Sequence, residues 1–338
     1  MSKAVRSRSG KPRTDEAVRL EIYRMMVEAR LFERRVHDLF LQGLVKGTSH
    51  LALGQEAIAA GYAAVLEPND LVYCTYRGHV HTLLRGAPMA ALMAELLGRA
   101  NGICGGKGGS MHLTDVSKGA MGSYAIVGAH MPIAAGAAWA AKERETGQVV
   151  VCFFGDGTTN IGAFHEALNF AVVWELPVVF VCENNLYMEY TPIRSVTAVE
   201  NPAADRASAY ALEPILVDGN DPDEMHAIAR RTVDLARSGD GPSLVEARTY
   251  RHGGHSRADP AKYRPEEEVA EWVARDPIPS LRERLIADGI DATTLDEIDR
   301  AAERVVDDAT AEAQAGPPPD HSTLLTELWA DGGSEWRN

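Results

Sequence analysis

Val149-Val150-Val151-Cys152-Phe153-Phe154 runs without a polar residue into Gly155-Asp156-Gly157. A continuous apolar run closed by a turn suits a strand buried on both faces, the kind found in parallel sheets whose faces are covered by helices. Before it, Pro132 to Lys142 is mostly alanine with Gly136, a composition that lets a helix lie close against a sheet or another helix. After it, the pattern predicts a helix from Asn160 to Trp174, a second buried strand from Pro177 to Cys182 and a third at Ile215-Leu216-Val217. A helix after Pro222 and a strand from Ser243 to Tyr250 complete the run. Strand and helix alternate, so the expectation is an α/β fold whose parallel sheet is flanked by crossover helices.

Outside this unit the chain reads as helical. Val18, Ile22, Met25, Ala29, Phe32, Val36 and Leu39 recur at steps of four and three, an amphipathic stripe that stops at Gly43. A second helix is expected from Gln55 to Leu66, ahead of the turn at Pro68-Asn69-Asp70, and Pro88 opens a third that runs to Gly98. Asn101 to Gly128 is rich in glycine. Beyond Pro260 the reading is helix over Glu266 to Arg275, Pro277 to Ala287 and Thr294 to Ala315, with Pro317-Pro318-Pro319 as terminator. The expected organisation is a basic tail over 1–15, an N-terminal helix over 16–44, an α/β domain over 45–260 and a helical region over 261–338.

Composition narrows the function. The 338 residues suffice for one large or two ordinary domains, and the apolar share of 45% with 24% charged is that of a globular protein. A net charge of −14 argues against nucleic acid, because no broad basic surface is there to displace counterions from phosphates. The four cysteines, Cys74, Cys104, Cys152 and Cys182, have no CxxC spacing and suit a reduced, cytoplasmic protein. No stretch approaches the roughly 20 apolar residues of a membrane helix, so no membrane partner is expected. The basic start, Lys3 to Arg13, resembles an organelle-targeting peptide as well as a tail.

Gly155-Asp156-Gly157 ends a buried strand, and ligands in open α/β sheets bind outside that edge. An Asp-Gly turn alone says little. However, the next buried strand ends in Glu183-Asn184-Asn185-Leu186-Tyr187, so two strand ends offer oxygen ligands together. A carboxylate, an amide oxygen and a backbone carbonyl suit Mg²⁺, which takes its remaining oxygens from phosphates and water. The glycines let backbone approach a diphosphate, and the helix beginning near Asn160 would aim free N–H groups at it.

This spacing resembles the thiamine-diphosphate signature, a GDG followed nearly thirty residues later by paired asparagines. Other stretches make the chain, from about Glu16 to Pro319, similar to the alpha subunits of 2-oxo acid dehydrogenases of the pyruvate type. Tyr73-Cys74-Thr75-Tyr76-Arg77-Gly78-His79 resembles the segment whose Tyr-Arg pair contacts the diphosphate, and an arginine fork satisfies two phosphate oxygens. Gly105-Gly106-Lys107-Gly108-Gly109-Ser110-Met111-His112 resembles the family's glycine block. It is no nucleotide P-loop: Asn101 stands where that motif needs glycine and Gly108 where it needs Ser or Thr. A flexible loop is the simple reading of Lys107.

The resemblance implies a thiamine-diphosphate-binding fold and assigns roles residue by residue. Asp156, Asn185 and the carbonyl of Tyr187 become Mg²⁺ ligands; Tyr76, Arg77, Gly157 and Thr158 meet the diphosphate. In Ala125-Ile126-Val127-Gly128 the backbone of Ala125 and Val127 meets the aminopyrimidine, although the family more often has glycine at the first position. Arg251-His252-Gly253-Gly254-His255-Ser256 resembles the loop carrying a catalytic histidine. Gly253 stands where a histidine is frequent, which leaves His255 as the candidate, and His50 matches a second active-centre histidine. Histidine suits the task because it donates to phosphate or developing charge and titrates near neutrality. The paired histidines 79/81 and 252/255 lack the accompanying ligands of a zinc site. From His252 to Tyr263, paired glycines with Ser256, Arg257 and Asp259 suit a mobile loop that orders on the diphosphate.

By the same resemblance the cofactor's aminopyrimidine needs a carboxylate from a separate domain, and no second parallel sheet fits in this chain. A beta subunit is therefore expected to supply it, in a heterotetramer of two alpha and two beta chains. The implied reaction is decarboxylation of a 2-oxo acid, first of all pyruvate, with the acyl unit passed to a lipoyl acyltransferase. Tyr187-Met188-Glu189-Tyr190-Thr191-Pro192 departs from the pyruvate pattern and leans toward acetoin dehydrogenase alpha subunits, the alternative. A split transketolase fits less well, since the Tyr76-Arg77-Gly78-His79 and His255-Ser256 matches weigh against it. A non-catalytic regulatory or scaffolding homologue is opposed by the intact Asp156, Asn185, Tyr76, Arg77 and His255.

Overall fold

A computed structural model describes residues 14–326; the basic stretch through Arg13 lies outside the described residues. Helix α1, Glu16–Leu41, starts at Asp15, whose carboxylate accepts the Ala17 N–H. Helix α2, Glu56–Ala63, is followed by strand β1, Leu71–Thr75, and helices α3, His79–Leu84, and α4, Met89–Leu96. Then come β2, Ala120–Tyr124, α5, His130–Glu143, β3, Val150–Gly155, and α6, Gly162–Val173. Strand β4, Val178–Asn184, precedes a two-residue hairpin of β5, Tyr187–Met188, and β6, Thr191–Pro192. Strand β7, Ile215–Asp218, helix α7, Pro222–Ser238, and strand β8, Ser243–Arg248, finish the α/β unit. Helices α8, Glu266–Val273, α9, Pro277–Ala287, and α10, Ala292–Ala315, close the chain.

The six sheet strands lie in the order β2-β1-β3-β4-β8-β7, and every neighbouring pair is parallel. Alternation along β3 explains why its sequence is apolar throughout. Val150, Cys152 and Phe154 pack on one side with Met131 and Ala135 of α5 and Phe164 and Leu168 of α6. Val151 and Phe153 pack on the other with Ile58 and Tyr62 of α2 and Met225 and Ala229 of α7. A strand covered on both faces needs no polar positions. The chain leaves β1 toward β2 on one side and resumes at β3 on the other. Such a reversal opens a crevice at the C-terminal ends of the two strands, and Tyr76-Arg77 and Asp156-Gly157 stand there.

The helices expected at both ends share a core. Phe32, Val36 and Leu39 of α1 pack with Leu92, Met93 and Leu96 of α4 and Val306 of α10. Ile22 and Met26 pack with Leu281 and Leu285 of α9 and Leu295 of α10. Periodicity did not mark β1, β2 or α3: β2 has the sequence Ala-Met-Gly-Ser-Tyr, with no β-branched residue, and α3 has only six residues. The helix expected from Asn160 also needs correction. Asp156–Asn160 forms a tight 3₁₀ turn, Ile161 is extended, and α6 begins at Gly162. The N–H groups next to Asp156 therefore belong to the turn rather than to the helix terminus.

The glycine block is not a loose loop. The N–H groups of Cys104 and Gly106 donate to one oxygen of Glu95, each at 2.8 Å, and those of Gly108 and Gly109 to the other, at 2.7 and 3.0 Å. This buried carboxylate occupies the anion-binding nest that a phosphate would use in a P-loop. Lys107 points away and donates to the Thr326 carbonyl at 3.0 Å.

Candidate active site

The crevice at the strand ends holds a cavity of about 420 Å³. Nine of the residues singled out in the sequence line it: Tyr76, Arg77, Val127, Asp156, Gly157, Thr158, Asn185, Tyr187 and His255. His50 sits behind the wall, its ring 4.5 Å from that of Tyr76 and 4.8 Å from that of His255. Ala125 lies beyond the end of β2 and outside the lining.

Asp156 is 2% exposed. One carboxylate oxygen accepts the Gly157 N–H at 2.7 Å; the other, Oδ2, is buried without a partner. Burial pushes this carboxyl up to about 7, against the opposing pull of the Gly157 hydrogen bond and of Arg251. A buried acid with a free oxygen is suited to ligate a cation, because a charge removed from water without a counter-charge is costly. The Asn185 amide oxygen accepts the Tyr187 N–H at 3.3 Å, while its amino group donates to Gln55 at 3.2 Å. Leu186 between them is left-handed, at φ 70°, the bend that brings this turn back over the strand end. Among the described residues no group of three or more His, Cys, Asp or Glu is placed to hold a metal. Mg²⁺ does not need one: its oxygen set mixes carboxylate, amide, carbonyl and phosphate, and Asp156, Asn185 and the Tyr187 carbonyl fit it.

Gly157 is required by contact as well as by turn, since a Cβ there would stand 2.5 Å from Met188 Cγ. Arg77 is buried, donating to the carbonyls of Leu51 and, at 2.9 Å, His255. These two bonds tie the loop before α2, β1 and the 252–263 segment to one guanidinium. Burial, reinforced by Arg251, lowers its pKa to about 10, still far above neutrality.

The histidines depart from expectation. Burial, with Arg77 and Arg251 adding positive charge, depresses His255 to about 4. Burial and then Arg77 depress His50 to about 3. Both imidazoles are neutral at pH 7, each with one N–H to donate, and do not titrate near neutrality. His79 and His81 are consumed in the interior: His79 bridges Glu33 at 2.8 Å and the Ser110 hydroxyl at 2.7 Å, and His81 meets Glu183 at 2.9 Å.

Sequence reasoning passed over the lining residues Tyr124 and Ile161, and it quoted Thr75, Glu183, Met188, Glu189, Tyr190 and Thr191 within motifs without assigning them to the site. Tyr124 directly precedes the quoted Ala125-Ile126-Val127-Gly128 stretch, a position that would have found it. Arg251 had been named only as the start of its loop. It is 1% exposed, donates to the Glu189 carbonyl at 3.0 Å and has a second, unpartnered buried nitrogen. Asp259 organises the 252–263 segment, accepting the His255 N–H at 2.6 Å, the Tyr263 hydroxyl at 2.7 Å and the Ala261 N–H at 2.8 Å.

A parallel sheet with a cavity at its switch point, lined by the buried Asp156 together with Asn185, Arg77 and His255, defines an open α/β protein with a ligand site at its strand ends. The family model described as dehydrogenase E1 component matches residues 23–322. The alpha subunit of acetoin:2,6-dichlorophenolindophenol oxidoreductase from Bacillus subtilis is 42% identical over 323 residues, covering 95% of this chain and 96% of the relative. The pyruvate dehydrogenase E1 component subunit alpha of Zymomonas mobilis is 40% identical over 321 residues, covering 94% and 90%. That of Rickettsia felis is 36% identical over 327 residues, covering 96% and 99%. The chain belongs to the dehydrogenase E1 component family, whose members are thiamine-diphosphate-dependent 2-oxo acid dehydrogenase components. No helix of the described residues is long and apolar enough to cross a membrane.

Proposed function

We propose that this chain is the alpha subunit of a thiamine-diphosphate- and Mg²⁺-dependent 2-oxo acid dehydrogenase, acting on pyruvate and passing the acyl unit to a lipoyl acyltransferase. The observation that carries the reading is the orphaned Asp156 oxygen, buried in the same cavity as Asn185, Arg77 and His255. In this reading Asp156, Asn185 and the Tyr187 carbonyl hold Mg²⁺, while Tyr76, Arg77, Gly157 and Thr158 hold the diphosphate and Ala125 and Val127 face the aminopyrimidine. When bound, thiamine diphosphate supplies the nucleophilic carbon and the electron sink for carbon–carbon cleavage. His255 donates its one N–H to the substrate oxygen that gains charge, and His50 holds its ring in place. Residues 45–260 are the cofactor-binding domain, 16–44 and, among the described residues, 261–326 its helical brace, and the cytoplasm its setting.

Val127 is 46% exposed and Ile126 72% exposed beside the cavity, a rim suited to cover by the beta subunit, in an assembly of two alpha and two beta chains. A second reading, cleavage of the hydroxyketone acetoin, is favoured by the Tyr187–Thr191 hairpin. It places Met188, Glu189 and Tyr190 on the cavity wall where the pyruvate pattern differs. Dye reduction by the alpha–beta assembly with pyruvate, branched 2-oxo acids and acetoin separates the readings. Pyruvate is expected to give the highest kcat/KM, and the isolated alpha chain no turnover. Preference for acetoin selects the second reading; turnover by partner-free alpha chain removes the need for a beta subunit.

A further inference from the structure

Glu246, in the middle of β8, is fully buried and faces the interior between β4 and the 203–207 turn. One carboxylate oxygen accepts the N–H groups of Ala203 and Ala204, both at 2.8 Å; the other accepts the Asn184 side-chain amide at 2.6 Å. An ionised carboxylate accepts and never donates. It therefore dictates which way the Asn184 amide points: NH₂ toward Glu246, oxygen toward the turn. That oxygen accepts the Leu186 N–H at 3.1 Å, and Leu186 is the left-handed residue between Asn185 and Tyr187. The Asn184 backbone is pinned too, its carbonyl accepting the Thr249 N–H at 2.9 Å.

We infer that Glu246 is a positioning residue for the Mg²⁺–diphosphate site: through the Asn184 amide it holds the Leu186 bend that sets Asn185 and the Tyr187 carbonyl opposite Asp156. The inference rests on the cofactor reading proposed above and assigns a task to a residue that touches neither cavity nor cofactor. The alternative is that Glu246 only anchors the 203–204 backbone and contributes to folding.

Chemistry separates the two. In Glu246→Gln the amide oxygen must face Ala203 and Ala204, so its NH₂ faces the Asn184 NH₂. Asn184 then turns over and presents a donor to the Leu186 N–H. The anchor survives and the bend loses its cap. Adding Asn184→Asp restores the pattern in reverse: the carboxylate now at position 184 accepts from the amide at position 246 with one oxygen and from the Leu186 N–H with the other.

The test is calorimetric titration of Mg²⁺ and thiamine diphosphate into the cofactor-stripped alpha–beta assembly, with the melting temperature of each stripped variant as the folding control. Glu246→Gln and Asn184→Ala are each expected to weaken Mg²⁺-dependent binding by about tenfold, the scale of one hydrogen bond. The double variant Glu246→Gln/Asn184→Asp is expected to return to within about threefold of the parent. Unchanged affinity in Asn184→Ala, or a double variant that melts like the parent yet binds as weakly as Glu246→Gln, overturns the positioning role. Failure of the parent assembly itself to bind the cofactor overturns the cofactor reading as well.

Discussion

At the scale of single residues, Asp156 combines the largest functional weight with the poorest local environment. Its carboxyl, raised by burial from near 3.8 to about 7, binds a proton in the folded cofactor-free protein that the unfolded chain has already lost. Folded protein thus holds more protons between about pH 4 and pH 7, so its stability falls as pH rises through that window and levels off above it. The cost at the top is on the order of a few kcal/mol, and a bound cation removes it. Asp156→Asn should abolish this slope, raise the melting temperature of the cofactor-free assembly at pH 8 by several degrees, and lower Mg²⁺-dependent cofactor affinity roughly a hundredfold or more. Thermal scans from pH 5 to 8 beside calorimetry check both. A slope that persists in Asp156→Asn assigns the titration to another group. The place of Asp156 at the cavity was legible in the sequence because a strand end and a glycine turn are local features. The neutral state of His50 and His255 was not, since it follows first from their burial by the folded chain and then from Arg77, which tertiary structure brings beside them.

Among elements, the 252–263 segment is the one whose conformation bears most on the reaction. It is fastened by Asp259 within the loop, by Arg77 on the His255 carbonyl and by the Arg257 N–H on the Ser49 carbonyl at 2.9 Å. None of these ties is a ladder of secondary structure, and the segment is expected to order further on the diphosphate, which hydrogen exchange checks. Ser256 adjoins His255, and a negative charge there stands beside the expected phosphates and substrate carboxylate. Ser256→Glu should reduce turnover of the assembly by about tenfold or more, whereas Ser256→Ala stays within about threefold. Hydrogen exchange of 252–263 should slow when Mg²⁺ and thiamine diphosphate are added. Equal turnover of the two variants with unchanged exchange removes the ordering role. The glycine block carries the opposite lesson: its composition read as looseness, and only the tertiary position of Glu95 shows four backbone donors committed to one carboxylate.

Across the whole molecule, the α/β unit and the terminal helices are joined by a buried charge cluster. Arg30 of α1 forks onto Glu56 at the start of α2, with bonds of 2.5 and 2.8 Å, and onto Asp276, the N-cap of α9, at 2.7 Å. Glu56 also receives the Gly54 N–H at 3.0 Å. Arg30→Met leaves Glu56 buried and Asp276 part-buried without their guanidinium and is expected to cost about 3–5 kcal/mol in chemical denaturation. The exposed pair Arg231–Glu213 provides the contrast, Arg231→Ala costing no more than about 1 kcal/mol. Equal effects of the two substitutions contradict the idea that the cluster clamps the helices to the sheet.

The amino-acid sequence by itself determined the parallel α/β class, most element positions and the cavity-lining motifs, because hydrophobic period, glycine turns and short motifs are written in neighbouring residues. It could not reveal β2, whose strand state depends on pairing with β1 rather than on its own composition, whereas β1 carries strand-forming Val72, Tyr73 and Thr75 and was passed over. Nor could it show that Glu246, 62 residues along the chain from Asn184, fixes the orientation of that side chain, or that burial, helped by Arg77, sets the charge state of the histidines. Hydrogen-bond direction and desolvation belong to three-dimensional neighbours, and only the tertiary structure brings those neighbours together.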